Sequence, residues 1–163
     1  MSVPMQLKID FASPVPKVAK QEAEACSSGK WAWVEAAVWT ERMLAALDNG
    51  VKGGKWFSLI DKVYNPATLK AAWKKVASNR GAAGVDKISI KRFRSNAGFY
   101  LAELGRELSD GTFQPSAVRR VHIPKDGKKT RPLGIPTVKD RIVQTALKMV
   151  LEPIFEKEFL PTS

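Results

Sequence analysis

Cysteine, histidine and tyrosine are scarce in this chain: its 163 residues include one Cys, one His and two Tyr. A single cysteine, Cys26, excludes an internal disulfide and any metal site built on clustered thiolates. The lone histidine, His122, excludes zinc sites that need two imidazoles. Apolar runs are only a few residues long, far short of the ~20 that a membrane-spanning helix requires. The opening residues, MSVPMQLKID, lack the apolar core of a signal peptide. Acidic side chains are few as well, 16 against 27 Lys and Arg, for a formal net charge of +11. These shortages point to a reducing, cytoplasmic setting without a membrane. They also point to a polyanionic partner, with nucleic acid ahead of any anionic surface. What remains is ordinary for a globular chain, 44% apolar and 26% charged, so disorder along the whole length is excluded.

The charge is not spread evenly. Residues 62–131 hold 16 basic and 5 acidic side chains, whereas residues 1–61 hold 7 of each and residues 132–163 hold 4 of each. A localised excess reads as a binding footprint; the plainer alternative is a solvated basic face with no partner.

Residues 1–29 carry Pro4, Pro14, Pro16, Ser27, Ser28 and Gly29 with little periodicity, and a disordered arm is expected there. A helix is expected over residues 31–47, stopped by Asn49 and Gly50. Asn65 and Pro66 then mark a helix start, Asn as cap and Pro at the first helical position. Leu69, Ala72, Trp73, Val76 and Ala77 follow at helical spacing, with Lys70, Lys74 and Lys75 off that stripe. Asn79 should end the helix, with Gly81 available as a left-handed cap. A further helix is expected over residues 96–109, with Ala97, Leu101, Leu104 and Leu108 inward. Residues 113–124 read as a strand, residues 125–128 as an Asp-Gly type turn, and residues 130–135 as the returning strand, with Pro132 confining it to an edge. Thr137 and Asp140 resemble a capping box ahead of an apolar helix, in which Pro153 should force a kink or restart.

Two motifs carry chemistry. The hairpin VRRVHIPKDGKKTRPLGIP, residues 118–136, projects Lys125, Lys128, Lys129 and Arg131 from one small tip. An ammonium and a planar guanidinium so placed suit a triphosphate. Lysines that merely guard an edge strand are the alternative. The small-residue loop Gly81, Ala82, Ala83 and Gly84 lets a backbone approach a strand of nucleic acid closely, with Arg80 and Lys87 alongside; a simple turn after the helix is the alternative. Asp86 has no second carboxylate near it and is read as organising the loop. Phe99, Tyr100 and Phe113 are read as core before base-stacking platforms.

The chain resembles the N-terminal part of group II intron-encoded reverse transcriptases, or maturases. The matching text is NRGAAGVDKIS (residues 79–89), GTFQPSAVRRVHIPKDGKKTRPLGIPTVKDRIVQTAL (residues 111–147) and VLEPIFEKEF (residues 150–159), in the family's order and spacing. The resemblance implies an α+β fold, the mainly helical fingers of a right-hand polymerase with a small antiparallel hairpin. The resemblance covers roughly residues 31–163, and with the disordered arm at 1–29 it divides the chain into a helical extension at 30–64 and fingers at 65–163. It places the template RNA over Arg80, Gly81, Ala82, Ala83, Gly84 and Lys87, with Lys74, Lys75, Arg119 and Arg120 as further phosphate contacts. It places the triphosphate of an incoming dNTP on Lys125 and Arg131.

The family's metal-binding carboxylates are a palm Asp and a Tyr-x-Asp-Asp turn, which hold Mg2+ in the complete enzyme. No Asp-Asp pair occurs here, and Asp86, Asp110, Asp126 and Asp140 are scattered. The expectation is therefore a fingers module without catalytic or metal-ligating residues of its own, needing the missing palm and thumb and inactive alone. A second function stays open beside it, a non-enzymatic basic RNA-binding protein or a truncated remnant assisting intron RNA.

Overall fold

The computed structural model of the chain describes residues 30–50, 58–125 and 129–156. The expected arm at 1–29 and the tip of the hairpin turn lie outside them. Six helices and two strands follow in order: α1 (Glu41–Asn49), α2 (Ile60–Val63), α3 (Pro66–Ser78), α4 (Ile90–Ser95), α5 (Ala97–Ser109), β1 (Arg119–Pro124), β2 (Thr130–Ile135) and α6 (Val138–Glu156). The architecture is α+β, helices around one antiparallel hairpin, as the sequence reading expects.

The core is built on α3 and α6. Asn65 caps α3 by accepting the Ala67 N–H at 2.9 Å, and Pro66 occupies the first helical turn, where no N–H is required. The apolar stripe of α3 then buries Leu69, Ala72, Trp73 and Val76. Against it lie Val138, Ile142, Ala146 and Val150 of α6, each withdrawn from water. Full burial of a Leu, Ile or Val side chain stabilises by about 1.5–3 kcal/mol, so these two faces hold the fold together. Phe93 of α4 closes one end, its ring 4.6 Å from Trp73 and 4.8 Å from Tyr100. Phe99 departs from the core placement expected of it and is exposed.

The expected helix over residues 31–47 is shorter. Residues 30–39 form turns, and α1 starts only after Thr40, whose extended backbone and hydroxyl cap the Met43 N–H. The two tryptophans explain the change. Trp31 donates its indole N–H to Asp48 at 2.8 Å, and Trp39 donates its own to the Met149 carbonyl at 3.0 Å. Pro153, four residues beyond Met149, has no N–H to give that carbonyl. Trp39 supplies the missing donor, and α6 runs on through a buried Pro153 to Glu156, without the restart the sequence suggested.

The first strand is also shorter than residues 113–124. Its pairing with β2 runs from Arg119 opposite Ile135 to Pro124 opposite Thr130. Before that, the Ser116 N–H turns to the Asp140 carboxylate, 3.3 Å from each oxygen, instead of to a ladder. Asp140 is buried and also accepts the Thr137 hydroxyl at 2.6 Å, while Thr137 Oγ1 accepts the Asp140 N–H at 3.2 Å. The capping box is thus half of one: Thr137 caps its helix, while Asp140 takes the Thr137 hydroxyl and the Ser116 N–H in place of the Thr137 backbone N–H, tying the hairpin base to the helix.

Candidate nucleic-acid interface

The small-residue loop leaves α3 at Asn79. Arg80, not Gly81, takes the left-handed turn, at φ 46°. Gly81 has a different role: the Arg141 guanidinium occupies the space a Cβ would fill there. Arg141 Nη2 donates to the Ala82 carbonyl at 2.5 Å and Nε to the Thr137 carbonyl at 3.4 Å. Burial lowers the pKa of Arg141 from its ordinary range, and the nearby Asp86 charge opposes that. The next glycine, Gly84, is buried. A Cβ there would come within 2.7–3.0 Å of the backbone of Pro136 and Thr137, which cannot swing aside. Beyond it, Lys87 sits at φ 58° and the Asp86 carboxylate accepts the Ile88 N–H at 3.1 Å, the organising role expected of Asp86. Arg80, Ala82 and Lys87 face solvent, whereas Gly81 and Ala83 are half-buried. Lys74 and Lys75 stand exposed on the preceding helix, Lys75 3.5 Å from Glu35.

The hairpin sorts its cations by strand register. Residues 119, 121 and 123 of β1 share a face with 131, 133 and 135 of β2. The Lys125 N–H donates to the Lys129 carbonyl at 2.8 Å, which continues that register by one pair. Lys125, Lys129 and Arg131 therefore share one face of the tip, Arg131 opposite Ile123. Arg119 lies on the same face at the base, while Arg120 and His122 lie on the other face. The sequence grouped Arg119 with Arg120; the structure points them to opposite sides. Val118, expected within the strand, precedes it and is exposed.

The loop and the hairpin meet at one place. β2 ends at Ile135, and the first turn of α6 carries the Thr137 backbone against Gly84, the Arg141 fork on Ala82 and Asp140 on Ser116. The sequence assigns Asp140 only a capping role and Arg141 none, because the partners that define them, Ser116 and Ala82, are distant along the chain. An apolar groove of about 800 Å3 lies elsewhere, between α3 and α5, with Lys70 and Arg106 as its charged members.

No protein-family model matches the chain. Individual relatives do. Protein YkfC of Escherichia coli K12 is 41% identical over 103 residues, 62% of this chain and 27% of YkfC. The group II intron-encoded protein LtrA of Lactococcus lactis is 36% identical over 97 residues, 58% of this chain and 16% of LtrA. The COX1/OXI3 intron 2 protein of Saccharomyces cerevisiae is 32% identical over 93 residues, 56% of this chain and 10% of that protein. Over these segments the chain is similar to part of the group II intron-encoded reverse transcriptases and maturases. It spans about a quarter or less of the length of these relatives. Among the described residues, no three His, Cys, Asp or Glu come together. The Asp86 and Asp140 carboxylates already accept the N–H groups of Ile88 and Ser116. These residues do not fit a magnesium pair. No helix among the described residues is long and apolar enough to cross a membrane.

Proposed function

We propose that this chain is the fingers portion of a group II intron-type RNA-directed DNA polymerase, binding template RNA and the triphosphate of the incoming dNTP. The observation that carries the reading is the joint at the start of α6, from which both nominated elements project: the 81–84 loop with Arg80 and Lys87, and the hairpin with Lys125 and Arg131 on one face. A loop of small residues brings backbone close to a nucleic-acid strand, and exposed cations neutralise phosphates. Fixed cations at a triphosphate supply position and charge, which is most of what phosphoryl transfer asks of the fingers. Metal chemistry belongs to carboxylates of the complete enzyme, so the isolated chain extends no primer.

The test is RNA binding by the isolated chain against salt. Contact with four to six phosphates of single-stranded RNA gives log affinity falling with log salt at a slope of roughly −3 to −4. Reversing Lys74, Lys75, Arg119 and Arg120 to Glu should flatten that slope. Replacing Lys125 and Arg131 with Ala should leave RNA affinity nearly unchanged, because their partner is the nucleotide. A salt-independent affinity, or loss of RNA binding on the Lys125 and Arg131 changes alone, overturns the assignment.

A further inference from the structure

We infer that Arg141 and Gly84 are positioning residues that clamp the 81–84 loop onto the first turn of α6 and thereby set the face it presents to RNA. The inference rests on the proposed RNA-binding role of that loop. Charge alone would make Arg141 one more phosphate contact. Its geometry gives it another task. The guanidinium is half-buried, and its fork reaches inward to two carbonyls of its own chain, Ala82 and Thr137, 59 and 4 residues away in sequence. It also fills the space beside Gly81.

Gly84 seats the other end of the loop. Its bare α-carbon lies against the backbone of Pro136 and Thr137, and the Lys87 N–H donates to its carbonyl at 3.3 Å. Two left-handed residues bracket the seated stretch, Arg80 before it and Lys87 after it. Such backbone conformations persist in non-glycine residues when the surroundings hold them. A loop fixed at both ends keeps Arg80, Ala82 and Lys87 outward without a separate ordering cost on binding.

The experiment uses the full chain and three variants, Gly84→Ala, Arg141→Lys and Arg141→Gln. Two quantities are read: hydrogen-exchange protection of amides 81–88, and affinity for a single-stranded RNA oligonucleotide across a salt series. Gly84→Ala and Arg141→Lys both conserve net charge. Each should deprotect the loop amides and weaken RNA binding about threefold to tenfold, the range of one hydrogen bond, with the salt slope unchanged. If Arg141→Lys instead binds like the parent while Arg141→Gln loses affinity and lowers the slope by about 0.7, Arg141 is a phosphate contact and the clamp is wrong. Loop deprotection with unaltered RNA affinity also overturns it, because the clamp would then be purely structural. Should Gly84→Ala fail to fold, Arg141→Lys decides alone. A parent chain that binds no RNA would sink the proposed function instead, and the exchange data would still say whether the clamp exists.

Discussion

The helical body and the hairpin come from the same chain but are stabilised in opposite ways. In the body, Leu69, Ala72, Val138, Ile142, Ala146 and Val150 are all within 1% of complete burial. In the hairpin, every described residue of β1 and β2 is exposed or half-exposed. Two strands without a covered face are marginal on their own. The hairpin is held at its base, through Asp140 on Ser116 and the direct run of β2 into α6, and otherwise by its own ladder. The difference is one of function as much as stability. In the proposed reading, the cations that meet a ligand sit on an arm with little packing to lose, while the elements that aim them belong to the core.

Substitutions should separate the two regions sharply. Leu69→Ala in α3 and Ile142→Ala in α6 each remove a fully buried core side chain and should cost about 2–5 kcal/mol in chemical denaturation. Leu133→Ala in β2, 44% exposed, should stay within about 0.5 kcal/mol. A comparable loss from both kinds of change would mean the hairpin packs against more than the described contacts.

A smaller effect tests how the N-terminal segment joins the body. Trp39→Phe leaves the Met149 carbonyl without its donor and should cost about 1–3 kcal/mol. Pro153→Ala restores a backbone N–H four residues after Met149. In the Trp39→Phe background it should recover part of that loss, while alone it should change little. Additive losses in the double-mutant cycle would show that the indole and the proline are not linked through this carbonyl.

The elements legible in sequence are those specified by neighbours. Asn65 and Pro66 announce α3, Asn79 ends it, and the 130–135 strand matches β2 in full, since each signal is local chemistry. The misreadings came from distant partners. The helix expected at residues 31–47 loses its first turns to Trp39, whose acceptor lies 110 residues away. The strand expected from residue 113 yields its start to Asp140, which lies 24 residues beyond Ser116. Helix α4 was missed although Ser89 caps it by accepting the Arg92 N–H at 3.2 Å; six residues rich in Lys and Arg show too little apolar period. The candidate site divides the same way. Its outward cations could be read by charge, whereas the Arg141 fork and the Gly84 seat exist only once α6 returns to the loop.

A further small effect concerns a lysine that ties α5 to α6. Lys139 lies 2.6 Å from Glu103 and 3.4 Å from Glu107. Burial lowers its pKa and is the largest single influence. The hydrogen bonds and charges of the two glutamates together outweigh it, so the value rises above the ordinary 10.5. A lysine that binds its proton more tightly when folded contributes stability that is complete below the unfolded value and is lost as pH climbs through the folded one. All three side chains retain some solvent contact, so screening keeps the contribution near 0.5–1 kcal/mol, about that of a good surface pair. Parent and Lys139→Met chains should therefore differ by a constant amount from neutral pH to about 10 and converge above it. Comparing the two cancels the other groups that titrate in this range. Denaturation curves that stay parallel to the highest pH would mean that the two glutamates do not stabilise the charged amine, and that α5 is held to α6 by its apolar contacts alone.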